Sequence, residues 1–180
     1  MRIKDGKEKK IKVFLIDDHP IVRDGVRAFL TSRSIDVVGE ASDAPEAFRI
    51  VRKLAPDIIV LDVNLPSMDG WEVARSLRRL APRSRIIAFS IHSSEEYVVR
   101  MARCGARGYV MKSQPTEELL DAIRQVFEGG RYFPAGMHDA CLARGAKASL
   151  KRSARKTCFP KPSRGPRSKG GLRKNPPPKT

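Results

Sequence analysis

The sequence predicts an α/β fold in which helices cover both faces of a five-stranded parallel sheet. Short apolar runs alternate with longer stretches that carry apolar residues at helical spacing. Strands that alternate with helices imply right-handed crossovers and therefore parallel pairing. The runs predicted to be strands are residues 13–16, 35–38, 58–61, 86–89 and 108–111.

The third run is typical of a strand buried on both faces. Residues 58–61 are apolar without interruption, and the run then ends on the carboxylate of Asp62. A charge at this point is unusual for a buried strand. It is explained if Asp62 serves a ligand, because such sheets bind ligands beyond the carboxyl ends of their strands.

The helices are predicted from apolar residues at positions i, i+4, i+7 and i+8. This spacing occurs after the first strand and again after the fifth. The residues concerned are Val22, Val26, Phe29 and Leu30 in the first case and Leu119, Ile123, Val126 and Phe127 in the second.

The charge distribution divides the chain. The formal net charge of the 180 residues is +16, and residues 135–180 contain thirteen Lys or Arg against one acid. The same stretch has six prolines and too few large apolar residues to offset the entropy of ordering it. We predict a basic extension over 1–10, a globular domain over 11–134 and a disordered basic tail over 135–180.

Signals for other compartments are missing from the sequence. No apolar run reaches membrane-spanning length, and the first run ends too early for a signal peptide. The three cysteines form no CxxC pair, which indicates reduced thiols in a cytoplasm. His138, Cys141 and Cys158 lack a fourth ligand, so a zinc site is not predicted.

Polar residues follow four of the five predicted strands. Asp17 and Asp18 end the first, Asp62 the third and Ser90 the fourth, while Lys112 follows the fifth. If the first and third strands are neighbours, three carboxylates crowd one edge, which is costly without a cation. Oxygen ligands favour Mg²⁺. A carboxylate beside Mg²⁺, an ammonium and a hydroxyl is arranged to attack phosphorus, so the sequence predicts phosphorylation of Asp62.

Some of these residues, and three near them in the sequence or at a strand end (His19, His92 and Tyr109), also have a purely structural interpretation. Asp17 and Asp18 would cap the first helix, and His19 would open it. Tyr109 would be a packing residue and His92 an exposed loop histidine. The match of Asp62 and Lys112 at corresponding strand ends favours the site over the capping interpretation of Asp17 and Asp18.

Several motifs resemble the receiver domain of two-component response regulators, in its NarL/FixJ branch. They are "IDDHPIVRDGVRAFL", "PDIIVLDVNLPSMDGWEVA", "IIAFSIHSSEEYVVRMARCGARGYVMKS" and "TEELLDAIRQVFEGGRYFP". The resemblance covers roughly residues 11–134 and implies a flavodoxin-like (βα)5 receiver fold. It also implies a phosphoacceptor switch that catalyses only its own phosphotransfer and dephosphorylation.

The resemblance assigns the metal and acceptor residues. It implies that Asp62 is the phosphoacceptor, that Asp18 binds Mg²⁺ directly and that Asp17 acts largely through water. Asn64 would offer its backbone carbonyl to the metal.

The resemblance also assigns the residues that sense the phosphoryl group. Ser90 would hydrogen-bond the group, Lys112 would pair with it, and Tyr109 would turn inward when Ser90 moves. The expected partner is a sensor histidine kinase, with homodimerisation through the fourth and fifth helices upon phosphorylation. Many receivers have proline after the lysine, where this chain has Ser113.

Two other uses of a similar sheet fit the sequence less well. A flavodoxin-type FMN site needs a hydroxyl- and glycine-rich loop after the first strand, where two acids would repel phosphate. A phosphatase of the haloacid dehalogenase type places its nucleophile and its acid in one D-x-D loop. Neither alternative explains Ser90 and Lys112.

The tail is open to two hypotheses, because no helix-turn-helix pattern follows residue 134 although the branch usually has one. One choice among the degenerate codons for "SARKTCF", residues 153–159, gives Arg-Glu-Lys-Asp-Val-Leu when it is read in a shifted frame. This resembles the R-E-x-x-V-L opening of that DNA-binding domain, so the tail would be a frameshifted product. Alternatively, its thirteen cations would bind nucleic acid by counterion release.

Overall fold

Five strands and five helices alternate along residues 10–137, which are the residues that the computed structural model describes. The predicted tail, the zinc-ligand candidates and the proposed frameshift lie outside these residues, apart from the first positions of the tail. The elements are β1 Lys12–Ile16, α1 Pro20–Ser32, β2 Asp36–Ala41, α2 Ala44–Leu54, β3 Ile58–Asp62, α3 Gly70–Leu80, β4 Arg85–Ser90, α4 Glu95–Cys104, β5 Gly108–Met111 and α5 Thr116–Phe127.

The predicted parallel sheet is confirmed. All four strand pairings are parallel, and the strand order is β2-β1-β3-β4-β5. β1 and β3 are neighbours, with Ile16 opposite Leu61. The carboxylates that follow these two strands are therefore brought to one edge.

Two apolar layers enclose the sheet. One layer packs α2, α3 and α4 against it and contains Phe14, Leu77 and Met101, while the other packs α1 and α5 and contains Leu30 and Ile123. The apolar spacings predicted for the first and fifth helices are confirmed, because those residues face the second layer. Within residues 10–137, no helix has the length and apolar character needed to cross a membrane.

The second strand differs from its predicted bounds. The apolar run predicted residues 35–38, whereas β2 continues to Ala41. Ile35 is buried before the strand and donates its N–H to Leu30 O at 3.0 Å. The extension is made by backbone pairing with β1, and Gly39 permits it because a Cβ there would lie 2.7 Å from Leu54 Cδ1. Side-chain hydropathy carries no signal for such pairing.

The chain returns to the sheet after α5. Tyr109 N donates to Tyr132 O at 2.7 Å, and Tyr132 N donates to Arg107 O at 3.0 Å, so the residues after α5 lie along the outer side of β5. The side chain of Phe133 is buried in the first apolar layer. The segment 131–133 therefore closes the edge of the sheet at β5.

Tyr132 gives the fold a pH dependence at alkaline pH. Burial, together with the Glu118 carboxylate that accepts its hydroxyl hydrogen bond, raises the pKa of Tyr132 from 10.0 to about 12. A raised pKa favours the neutral form in the folded state, so this stabilisation is complete below pH 10 and is lost as the pH rises towards 12. We expect urea unfolding to show a stability difference between the wild type and Tyr132→Phe that changes over this interval. An unchanged difference from pH 9 to pH 12 would contradict the assignment.

Gly70 is required at the start of α3. A Cβ at this position would lie 2.6 Å from the Cα and the carbonyl oxygen of Val63, both backbone atoms. We expect Gly70→Ala to lower the free energy of unfolding by about 2 kcal/mol through overpacking. Gly25 in α1 is the matched control, because a Cβ there meets nothing within 4 Å. Gly25→Ala should stabilise the protein by about 0.5–1 kcal/mol, and equal effects in urea titrations would refute the steric argument.

Candidate functional site

The polar residues predicted from the strand ends meet at the carboxyl edge of the sheet. The end of β3 carries Asp62, and the end of β4 carries Ser90, whose paired neighbour in β5 is Met111. Asp17 follows β1 and Lys112 follows β5 directly. Asp17, Asp62 and Ser90 are the buried polar residues of the described part of the chain.

Lys112 connects two carboxylates in the middle of this edge. Its Nζ lies 2.7 Å from Asp62 Oδ2 and 2.7 Å from Asp17 Oδ2. Burial lowers the pKa of this ammonium, but its contacts with Asp17 and Asp62 outweigh burial, so the pKa is raised overall. Lys112 is therefore a fixed positive charge over the usual working range of pH.

The carboxylate of Asp62 is oriented from two sides. Its Oδ1 accepts a hydrogen bond from Asn64 N at 2.9 Å, and its Oδ2 accepts one from Lys112 Nζ. The side chain is 2% exposed, and burial raises the pKa of Asp62 despite the opposing effects of Lys112 and Asn64. The group is thus a poorly solvated carboxylate, held in one orientation.

The acids at this edge fit a hard cation. Asp17, Asp18, His19 and Asp62 each place a ligand atom within 4.8 Å of the others. Among the described residues, Asp17 Oδ2 contacts only Lys112 Nζ. Asp18 Oδ1 likewise contacts only His19 Nδ1, at 2.8 Å. Both oxygens are buried with one contact each, and a carboxylate oxygen can accept more than one ligand. Three carboxylates whose oxygens can bind a further ligand match the preference of Mg²⁺ for oxygen ligands.

The structure argues against Asp17 and Asp18 as helix caps. Helix α1 begins at Pro20 after His19, and no side chain caps its first turn. Asp17 Oδ1 instead accepts a hydrogen bond from His19 N at 2.9 Å, outside the helix. The prediction that His19 opens the helix is confirmed, although its imidazole also contacts both acids.

Ser90 is connected to Tyr109 through the backbone of His92. Ser90 Oγ accepts a hydrogen bond from His92 N at 3.1 Å, and the Tyr109 hydroxyl donates to His92 O at 2.8 Å. Tyr109 is fully buried, so the structure has it in the inward position. Burial raises the pKa of its hydroxyl, which keeps it a neutral donor.

His92 lies in a loop, as the sequence predicts, but it is partly buried rather than exposed. The ring is partly buried, its Nε2 lies 2.9 Å from Asn64 Oδ1, and it stacks on Tyr97 with ring centroids 4.0 Å apart. Tyr97 in turn lies 6.4 Å from the Trp71 ring. Asn64 and His92 are 28 positions apart, and Trp71 and Tyr97 belong to different helices, so no local sequence pattern indicates these two contacts.

Comparison with known proteins identifies the family. The sequence model described as the response regulator receiver domain matches residues 13–124. Among curated relatives, the transcriptional regulatory protein MctR of Rhizobium johnstonii is 38% identical over 134 residues, which are 74% of this chain and 63% of that protein. The nitrate/nitrite response regulator protein NarL of Escherichia coli is 41% identical over 118 residues, 65% of this chain and 55% of NarL. The chain thus spans between about half and two thirds of these relatives.

Solved structures agree with the fold. A two-component response regulator of the LuxR family from an Aurantimonas species is 35% identical with a TM-score of 0.67, covering 78% of this chain and 99% of that one. The receiver domain of the response regulator NarL from Mycobacterium tuberculosis is 35% identical with a TM-score of 0.62, over 67% of this chain and 98% of that one. The chain belongs to the family of two-component response regulator receiver domains, as its motifs predicted.

Proposed function

We propose that this protein is a response regulator that accepts a phosphoryl group on Asp62 from a sensor histidine kinase, over a receiver unit spanning residues 11–134. The observation that carries the proposal is the geometry around Asp62. A buried carboxylate is held by Lys112 at 2.7 Å beside two further acids at the carboxyl edge of the sheet. This arrangement supports nucleophilic attack on phosphorus followed by stabilisation of the transferred group.

The chemical step would form an acyl phosphate. A carboxylate oxygen of Asp62 attacks the phosphorus, and the bond from phosphorus to the donor nitrogen, or to oxygen in acetyl phosphate, breaks with its electron pair leaving on the donor. The Lys112 ammonium then pairs with a phosphoryl oxygen. Hydrolysis by water restores the carboxylate and releases inorganic phosphate.

We assign the metal site to Asp17, Asp18, Asp62 and the backbone carbonyl of Asn64. Bound Mg²⁺ would supply positive charge to offset the carboxylates and the phosphoryl oxygens. Asp17 and Asp18 would hold the ion from the end of β1. His19 contacts both acids and limits their motion.

The proposed switch uses the connection between Ser90 and Tyr109. If the Ser90 hydroxyl turns to donate to the phosphoryl group, it gives up the hydrogen bond that it accepts from His92 N. The backbone of His92 also accepts the Tyr109 hydroxyl, so a shift of this loop changes the position that Tyr109 occupies. Phosphorylation would therefore change the conformation of the loop that precedes α4, and with it the surface of α4.

The surface around the site supports a protein phosphodonor. Ile21 and Ile91 are the large apolar side chains exposed among the described residues, at 86% and 66%. Ile21 lies in the first turn of α1 and Ile91 follows Ser90, so both flank the edge that carries Asp62. We propose this rim as the docking surface for the kinase. Homodimerisation upon phosphorylation and a cytoplasmic location remain predictions.

The experiment that tests the function is intact mass spectrometry of the full chain after incubation with acetyl phosphate and Mg²⁺. We expect a mass increase of one phosphoryl group that needs Mg²⁺ and disappears with EDTA. Alkaline hydroxylamine should remove it, as expected for an acyl phosphate. A folded protein without an adduct would refute the proposal.

The switch itself is tested through Trp71, the single tryptophan of the chain. Its ring lies under Arg100 at 3.5 Å and near Tyr97, which stacks on His92. We expect phosphorylation to change Trp71 fluorescence, and Tyr109→Phe to reduce that change while the adduct still forms. Tyr132→Phe is the matched control, because that tyrosine bonds Glu118 instead. Equal fluorescence changes in both variants would exclude Tyr109 from the switch.

A further inference from the structure

An arginine cluster lies at the amino end of the sheet, opposite to Asp62. It consists of Arg78, Arg85, Arg107 and Arg131. Arg85 begins β4 and Arg107 directly precedes β5. Arg107 N donates to Ile86 O at 2.7 Å, and its carbonyl accepts from Tyr132 N at 3.0 Å, which brings Arg131 alongside.

Two of the four side chains, those of Arg78 and Arg85, are held by hydrogen bonds to backbone carbonyls. Arg78 packs over Gly105, where any Cβ would collide with it, and its guanidinium donates to Cys104 O at 3.4 Å. Arg85 donates to Phe127 O at 2.5 Å.

No member of the arginine cluster pairs with a carboxylate within residues 10–137. Burial and the charges of Arg131, Arg85 and Arg78 lower the pKa of Arg107. The charges of Arg131, Arg85 and Arg78 thus all act on Arg107 in the same direction.

The same charge continues along α3 and α4. Residues 73–94 contain five Arg and no acid, and residues 97–116 contain three Arg and one Lys and no acid. A groove of about 560 Å³ between the two helices is lined by Arg75, Arg100 and Arg103. The acids of these helices lie in their first turns, Glu72 in α3 and Glu95 and Glu96 in α4. Glu96 is one turn from Arg100, while Arg103 lies about 10 Å along the helix from Glu96.

The rest of the chain cannot neutralise this surface. Residues 138–180 contain thirteen Lys or Arg and one acid, and residues 1–9 contain four Lys or Arg and two acids. Both ends carry the same sign of charge as the arginine cluster. A partner that neutralises this surface would therefore be anionic and would not come from these two segments.

The composition of the surface favours nucleic acid over an acidic protein. The exposed large apolar side chains of the described residues, Ile21 and Ile91, lie at the opposite edge. A protein interface is anchored by apolar and aromatic residues at its centre. A nucleic-acid backbone instead presents closely spaced phosphates without intervening cations, and guanidinium groups bind phosphate in a bidentate manner.

We propose that the arginine cluster and the adjoining α3–α4 groove bind the phosphate backbone of duplex DNA without reading its sequence. This contact belongs to the receiver and is distinct from any contact made by the basic tail. The arginine cluster lies at the end of the sheet remote from Asp62, so its contact with DNA does not require the phosphoryl group.

The test uses the full chain and fluorescence anisotropy with two unrelated labelled duplexes of about 20 base pairs over a series of KCl concentrations. The cluster variant combines Arg78→Gln, Arg107→Gln and Arg131→Gln. The matched control combines Arg49→Gln, Arg52→Gln and Arg124→Gln, three exposed arginines elsewhere on the domain. Both variants lose three positive charges, so they differ only in where the charges were.

We expect the cluster variant to bind both duplexes about tenfold more weakly than the control variant at low salt. The slope of log K against log salt should be smaller by about two to three, since each lost phosphate contact removes about 0.9. Equal affinities and slopes in the two variants would overturn the proposal. Polyglutamate binding that needs the arginine cluster, without duplex binding, would overturn it in favour of an acidic protein.

Two further samples keep the result interpretable. Arg107→Gln with Arg131→Gln leaves the packing of Arg78 over Gly105 intact, so it tests the contact if the triple variant melts early. Asp62→Asn should bind DNA like the wild type. A loss of DNA binding in Asp62→Asn would contradict independence from the phosphoacceptor site.

Discussion

Asp62→Asn is expected to abolish the phosphoryl adduct formed with acetyl phosphate and Mg²⁺. The substitution replaces the attacking carboxylate by an amide that is not nucleophilic, while nearly the same volume fills the buried position. The amide oxygen replaces only one of the two carboxylate oxygens, so either the bond from Asn64 N or the bond from Lys112 Nζ is lost, while a buried charge that burial already disfavours is removed. We therefore expect the free energy of unfolding to change by no more than about 1 kcal/mol, so that the loss is chemical. Intact mass and urea unfolding measure the two effects.

Asp36→Asn is the matched control for this variant. Asp36 is an exposed acid at the start of β2 and is remote from the carboxyl edge of the sheet. It should form the adduct at the rate of the wild type. An adduct that persists in Asp62→Asn would show that another residue accepts the phosphoryl group. Loss of the adduct in both variants would show that the effect is not specific to Asp62.

Lys112→Met is expected to have the largest effect on stability. It leaves the buried carboxylates of Asp17 and Asp62 without the ammonium that lies 2.7 Å from each. Removal of one partner from a buried ion pair costs roughly 3 kcal/mol or more. We expect urea unfolding in EDTA to show a loss of about 3 kcal/mol at neutral pH. Added Mg²⁺ should narrow the difference from the wild type, because a cation then offsets the acids.

Lys53→Met provides the comparison for this prediction. Lys53 is exposed on α2, so its replacement should change the free energy of unfolding by less than about 0.5 kcal/mol. Lys112→Met should also fail to stabilise the adduct on Asp62. A variant as stable as Lys53→Met in EDTA would mean that the two carboxylates do not need Lys112.

The architecture was predictable because hydrophobic spacing determined it. The uninterrupted run of residues 58–61 is buried throughout, as a central parallel strand requires. The bounds of β2 were not predictable to the same degree, since residues 39–41 are held by backbone pairing with β1. Pairing of this kind depends on the neighbouring strand, which local sequence does not specify.

The candidate site was predictable where topology alone brings residues together. Parallel strands align their carboxyl ends, so residues at the ends of β1, β3, β4 and β5 must meet at one edge. Contacts between loops were not predictable. The bond between His92 and Asn64 and the stacking of His92 on Tyr97 depend on loop conformation and helix placement. The inward position of Tyr109 likewise depends on the carbonyl of His92.

The return of residues 131–133 to β5 also affects how copies of the chain meet. An uncovered outer strand offers free N–H and C=O groups, and these can recruit a strand from another molecule. Here the hydrogen bonds between Tyr132 and β5 occupy part of that strand, while β2, the other outer strand, carries the charges of Asp36 and Glu40. A shortened form that ends at Phe127 would retain all ten elements yet expose β5 and lose the packing of Phe133, so we expect it to self-associate as well as to be less stable. The domain therefore has to extend to Phe133, past the end of the last helix, for the outer edge of β5 to be covered.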